Sequence, residues 1–195
     1  MFVGLALFII FLLVLNVFIH KDNHFQEKTE KDFWTREQEA NFTRKKDISN
    51  LGYLTIPPEK IPQTLHTEAE QKLISLSSCR MLNLTGKTNT DLKLEYGVAN
   101  LDALIEYDNN FTEFVKAVSV YAGELIDAGQ PNHAQALLEL AVSYHADSTA
   151  IFTLLANLYQ EKGQTNQIQS LLETARELDS LSKPIIIEKL QAYLT

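Results

Sequence analysis

The sequence predicts an all-α chain: antiparallel helix pairs stacked into a solenoid, set behind an apolar N-terminal segment. Three observations predict it. First, Ala122, Leu125, Gly129, Leu138 and Ala141 recur as Ala156, Tyr159, Gly163, Leu172 and Ala175, each 34 residues further on. That is the length of a helix–turn–helix repeat, a unit that cannot bury its apolar face alone and must stack on its neighbours. Second, the run from Phe2 to Ile19 carries no charge and has Asn16 as its one polar side chain. Third, Pro57, Pro58 and Pro62 forbid a regular helix between these two regions.

At about 1.5 Å of rise per residue the apolar run spans roughly 27 Å, close to the hydrocarbon thickness of a bilayer. Residues 1–20 are therefore read as a transmembrane anchor. A cleaved signal peptide is the competing reading, but no basic residue precedes the run and Leu15–His20 offers no small residue for cleavage. Lys21, Lys28, Lys31 and Arg36 follow the run. The positive-inside rule then places the larger C-terminal part in the cytoplasm, making this a single-pass membrane protein. The single Cys79 excludes an internal disulfide, which suits a reducing compartment.

Residues 21–47 lack Gly and Pro and are rich in Glu, Lys, Gln and Arg, so they read as a juxtamembrane helix. Glu27–Lys31 and Asp32–Arg36 are favourable pairs four residues apart. Phe33 and Trp34 are open to two readings, a membrane-surface anchor or packing against the folded domain or a partner helix. Arg44-Lys45-Lys46 reads as a solvated helix end, with lipid headgroups as the alternative contact. Residues 48–65 form an extended, Pro-containing linker, with Tyr53, Leu54 and Ile56 available to dock on the domain surface. Helices resume at Thr67, where Cys79 falls on an apolar face and reads as a small buried hydrophobe. In residues 83–111, Asn89 or Thr90 caps a short helix, Gly97 breaks it and another short helix starts near Asn100. This stretch is either a divergent repeat or a specialised functional loop.

The repeating blocks are 115–148 and 149–182, within a domain of residues 66–195 closed by a terminal helix at 183–194. Ala122 and Ala156 let helices approach closely, and Gly129 and Gly163 supply left-handed helix ends. Pro131 can open the second helix of its pair. In the second block Phe152, Leu155, Ala156, Tyr159, Gly163, Ile168, Leu172, Ala175, Leu178 and Asp179 resemble the pattern of the tetratricopeptide repeat (TPR) family. The first block resembles it through Val118, Tyr121, Ala122, Leu125, Gly129, Ala134, Leu138, Ala141 and Tyr144. Ile168 stands where the family prefers Ala. Ser180 and Ala146 stand where it prefers Pro, and Val118 replaces a large aromatic. The resemblance implies a TPR-like right-handed α-solenoid whose concave groove is lined by the first helix of each pair. Mapped residue by residue, the groove takes Lys116, Ser119, Val120, Gly123 and Asp127 from the first block. From the second it takes Thr153, Leu154, Asn157, Gln160 and Glu161. Asn157 matches one position of the family's carboxylate clamp, but Ser119, Gly123 and Thr153 do not complete it, which argues against an acidic chaperone tail as ligand. What remains is either a mixed polar surface or a groove for an extended peptide.

The net charge of −8 comes entirely from residues 48–195, because the seven basic and seven acidic side chains of 21–47 cancel. A chain this acidic, with no basic stripe, is not a nucleic-acid binder. Gly86-Lys87-Thr88 imitates the end of a phosphate-binding loop, but Met81 stands where the motif needs Gly. His20 and His24 have helical metal-ligand spacing without further ligands to complete a set. Three Asn-x-Thr sequons, at Asn41, Asn83 and Asn110, matter only in a secretory lumen. With no activated nucleophile, metal set or cofactor motif, the chain is read as a non-enzyme without cofactor or small-molecule substrate. The function this implies is a membrane-anchored scaffold that binds a protein or peptide partner. A constitutive subunit of a larger membrane complex is the alternative, and an enzyme with its site in 83–111 is the third reading.

Overall fold

The computed structural model describes Phe11, Leu15 and residues 29–194. Among these residues the chain is all-helical, apart from one isolated antiparallel bridge between Leu54 and Met81. The anchor read at 1–20 lies outside the described residues except for Phe11 and Leu15. No helix among the described residues is long and apolar enough to cross a membrane. The helices are α1 (29–42), α2 (Glu68–Leu76), α3 (Asn89–Tyr96), α4 (Leu101–Asp127), α5 (Pro131–Ser143), α6 (Thr149–Glu161), α7 (Thr165–Glu177) and α8 (Lys183–Gln191). They fall into two compact units: residues up to Lys46 with Asn89–Asn100, and Asp47–Thr88 with Leu101–Thr195.

In the first unit α1 and α3 are joined mainly by polar groups. Ala40 and Leu92 are its buried apolar side chains among the described residues. The Glu37 carboxylate accepts from the Lys93 ammonium and from the Thr90 hydroxyl at 2.7 Å, and Lys93 also donates to Asn41 at 2.9 Å. The Lys93 ammonium, then Thr90, holds the Glu37 carboxyl below its ordinary range. Arg36 pairs with Asp91 at 2.5 Å. Where the sequence predicts helix to residue 47, α1 stops at Phe42 because the chain turns back onto the end of α3. The Lys46 N–H donates to the Tyr96 carbonyl at 3.0 Å, and the buried Asn100 amide bonds the carbonyls of Lys46 and Tyr96. Gly97 (φ 89°) makes this approach possible: a Cβ there would lie 2.4 Å from the Arg44 carbonyl oxygen. The partners that end α1 lie some fifty residues away in sequence, beyond the reach of local pattern.

The second unit is built on α4. The sequence suggests a short helix near Asn100, but α4 runs unbroken for 27 residues. Leu104, Phe111, Phe114, Val118, Tyr121 and Leu125 are buried at helical spacing and hold it together. Asn110, within this helix, turns its amide outward to the Arg80 carbonyl at 3.1 Å. It therefore does not compete for its own backbone.

From α4 onward the 34-residue interval recurs in the boundaries themselves. Asp127 and Glu161 end helices, Pro131 and Thr165 begin them, Ser143 and Glu177 end them, and Thr149 and Lys183 begin the next. The turns are duplicated bond for bond. Gly129 (φ 73°) donates to the Ile126 carbonyl at 2.9 Å and Gln130 to that of Leu125 at 2.8 Å. Gly163 (φ 66°) donates to the Gln160 carbonyl at 2.9 Å and Gln164 to that of Tyr159 at 2.8 Å. Both are Schellman endings that satisfy the last carbonyls of α4 and α6. Ala122, Leu125, Leu138 and Ala141 are buried, as are Ala156, Tyr159, Leu172 and Ala175.

Short turns fold α5 back on α4 and α7 back on α6. The helices α2, α4, α6 and α8 also contact one another in that order. The third interval is only partial, since Ile151 is fully buried while Ile185, its counterpart 34 residues on, is 53% exposed. Residues 48–65 form a strap that docks on the domain through Ile56 and Ile61, both buried in the core. Tyr144 donates to the Thr55 carbonyl at 2.6 Å, the 3-10 turn Pro58–Lys60 packs on α5, and Tyr53 meets Tyr107 edge-on at 5.4 Å. Cys79 is half-buried, its thiol directed at the Ser75 carbonyl.

Candidate partner-binding face

The ten residues mapped to a groove are all at least partly open to solvent. Lys116, Val120, Asp127, Asn157, Gln160 and Glu161 are exposed, and Ser119, Gly123, Thr153 and Leu154 are half-buried. They lie on α4 and α6 opposite the side chains that fill the core, as a helix with one apolar stripe requires. Gly123 needs no special backbone, and a Cβ there would meet nothing within 4 Å.

Two clefts take four of these residues, and the other six line neither. A wide cleft of about 640 Å³ between α2 and α4 takes Lys116 and Val120, with Ala69 and Ala117 as its apolar floor. Val120 is 55% exposed above that floor. Charges rim it: Glu113 bonds Lys116 at 2.9 Å and Lys72 at 3.3 Å. These two cations, Lys116 first, hold the Glu113 carboxyl below its usual range. A smaller cleft of about 430 Å³ between α6 and the end of α8 takes Thr153 and Gln160, with Lys189, Ala192 and Tyr193. Asn157 is already engaged, accepting a hydrogen bond from the Tyr193 hydroxyl at 2.6 Å. Ser119 reaches Ser148 at 3.5 Å between the two clefts, and Leu154 packs partly on the core.

The α2 wall of the first cleft is absent from the mapped set, as are Lys189 and Tyr193 in the second. Its sequence signal is Thr67-Glu-Ala-Glu70, a capping box. Thr67 caps α2 by accepting from the Glu70 N–H, and its hydroxyl donates to Glu124 at 2.6 Å. Glu70 reaches further back than a usual box. Its Oε2 accepts from the N–H groups of Thr64, Leu65 and His66 at 3.1, 2.9 and 3.0 Å and from the Tyr121 hydroxyl at 2.8 Å. The same hydroxyl also faces the Pro62 carbonyl, so its one proton is shared between the two acceptors. Burial pushes the Glu70 carboxyl up, but the Leu65 amide, Tyr121 and the other two amides outweigh it, so the group stays ionised below its ordinary range. Burial first, then Glu70, raises Tyr121 to about 12. Burial and then Glu139, which accepts its hydroxyl at 2.9 Å, raise Tyr159 as well.

Among the described residues no three His, Cys, Asp or Glu side chains converge as metal ligands. What the face offers is shape, apolar contact through Val120 and Ala117, and exchangeable ion pairs. These suit the binding of a polypeptide. No protein family matches this chain, and neither a curated protein nor a solved structure does.

Proposed function

We propose that this protein is a membrane-anchored scaffold whose α4–α6 face binds a segment of a partner protein. In this reading α4 to α8 form a TPR-like solenoid, with α2 extending the row of face-lining helices at one end. The observation that carries the proposal is the pair of duplicated Schellman turns. They repeat one helix–turn–helix geometry at both pairs, which supports reading the outward positions of α4 and α6, and the two clefts they border, as parts of one face. Anchoring through Phe2–Ile19 restricts the search for a partner to two dimensions, so a shallow face with modest affinity suffices.

The test uses Val120→Glu and Glu161→Lys, because both side chains are exposed and neither substitution fills a core site. Asn157 is a poorer choice, since its replacement also releases Tyr193. Partners captured from native membranes by the wild-type chain, and crosslinked to a photoreactive residue at 120, should be lost with both variants while thermal unfolding is unchanged. Retention of the same partners by both variants would sink the reading.

A further inference from the structure

We infer that α1 and the turn after it form a docking surface for anionic lipid headgroups, a site independent of the α4–α6 face. Three aromatic side chains on α1 are left largely bare: Phe33 is 55%, Trp34 59% and Phe42 79% exposed. One side of the helix is taken by α3, through Arg36, Glu37, Ala40 and Asn41. At 100° per residue, Lys31, Thr35, Gln38, Glu39 and Phe42 lie opposite that side, with Trp34 towards one rim and Asp32 towards the other. Bare aromatic rings on a helix that runs into an exposed basic turn are the arrangement of an interfacial segment, which lies in the headgroup plane rather than crossing the bilayer.

The charge is held in place by the backbone. Arg44, Lys45 and Lys46 are all exposed. No carboxylate among the described residues pairs with any of the three, while the neighbouring Arg36 and Lys93 are both neutralised. The main chain beneath them is fixed by the Lys46–Tyr96 and Asn100–Lys46 hydrogen bonds and by the close contact with Gly97. Three cations without a carboxylate partner among the described residues therefore follow Phe42 on a turn whose main chain is held in place. An anionic lipid surface fits them, because it supplies the missing charge to the cations and a shallow apolar layer to the rings. A protein partner would have to provide both on one face, and it is the outcome that the test excludes.

Trp34 is the only tryptophan of the chain, so its fluorescence reports this surface alone. The full chain is reconstituted into vesicles of phosphatidylcholine, with or without phosphatidylglycerol, in which the lipids carry bromine near the headgroup. In anionic vesicles Trp34 emission should shift to the blue and be quenched, and both effects should shrink in neutral vesicles and at high salt. The R44Q/K45Q/K46Q variant should lose most of the quenching, at about fivefold weaker surface association per cation. It keeps the main-chain bonds that hold the turn. Emission that is the same in anionic and neutral vesicles, or insensitive to bromine in both, overturns the inference. Flotation after a high-salt wash reads the N-terminal anchor separately, so failure of the anchor is not mistaken for failure of the docking surface.

Discussion

The Glu70 carboxylate and the Tyr121 hydroxyl, 2.8 Å apart, join the strap, α2 and α4 at one point. One oxygen of Glu70 serves three strap amides and this hydroxyl, while its other oxygen is buried without a hydrogen-bond partner among the described residues. A buried carboxylate is costly unless several donors face it, and here four do so from two sides. Glu70 is thus a structural ion that sets where the strap crosses the domain.

Replacing Glu70 with Ala should cost about 3 kcal/mol, because it strands several buried donors at once. Urea unfolding followed by circular dichroism measures it. The folded-state carboxyl is depressed, so its contribution is present above the ordinary glutamate range and lost as pH falls through the folded value. Glu70→Gln should therefore flatten the fall in stability below about pH 5. An equally steep fall in the variant would contradict the assignment.

The glycines should separate by mechanism. Gly129→Ala and Gly163→Ala meet no atoms within 4 Å, so each should cost about 1 kcal/mol from the left-handed backbone alone, and by similar amounts. Gly123→Ala, inside a helix in open space, should stabilise by about 0.5–1 kcal/mol. Thermal denaturation of the three variants checks both signs.

Gly97→Ala belongs to a different case, because its Cβ would meet backbone at 2.4 Å. It should release the 43–46 turn from α3 and raise amide hydrogen exchange across α1 and α3, with little effect on α4 to α8. Unchanged protection in α1 would show that the contact is not needed.

Leu125→Asp should abolish the cooperative unfolding of the second unit, since it places an unpaired charge where the side chain is fully buried. Tyr159→Asp should do the same, and it also removes the bond to Glu139. A surviving thermal transition in both would contradict the packing of α4 and α6.

Tyr121, Tyr144 and Tyr159 should ionise above the ordinary tyrosine range, burial being the leading cause in each. Raised folded values mean that stability held below about pH 10 is lost as pH climbs through them. Absorbance at alkaline pH should show these rings titrating together with unfolding rather than ahead of it.

The features legible in the sequence are those that depend on local chemistry. A left-handed glycine ends a helix through bonds to residues three to five positions back, so Gly129 and Gly163 marked both turns in advance. The apolar stripes of α4 to α7 follow helical spacing, so Leu125, Leu138, Ala156 and Leu172 were identifiable as core from sequence. The end of α1 was not legible, because Gly97 and Asn100 act on it from the far side of a long insertion. Nor was the unbroken length of α4, since Asn110 finds its partner on the segment around Arg80.

The candidate face divides in the same way. The ten positions on α4 and α6 are what the resemblance to the TPR family implies, and the sequence by itself determined the all-α class and the 34-residue spacing. Only the tertiary structure decided that α2 walls one cleft, that Tyr193 already occupies Asn157, and that a buried Glu70 pins the strap. The physical reason is range. Helix ends and stripes come from interactions within a turn or two of chain, whereas the walls of a site and the partners of a buried charge are fixed only when distant segments pack together.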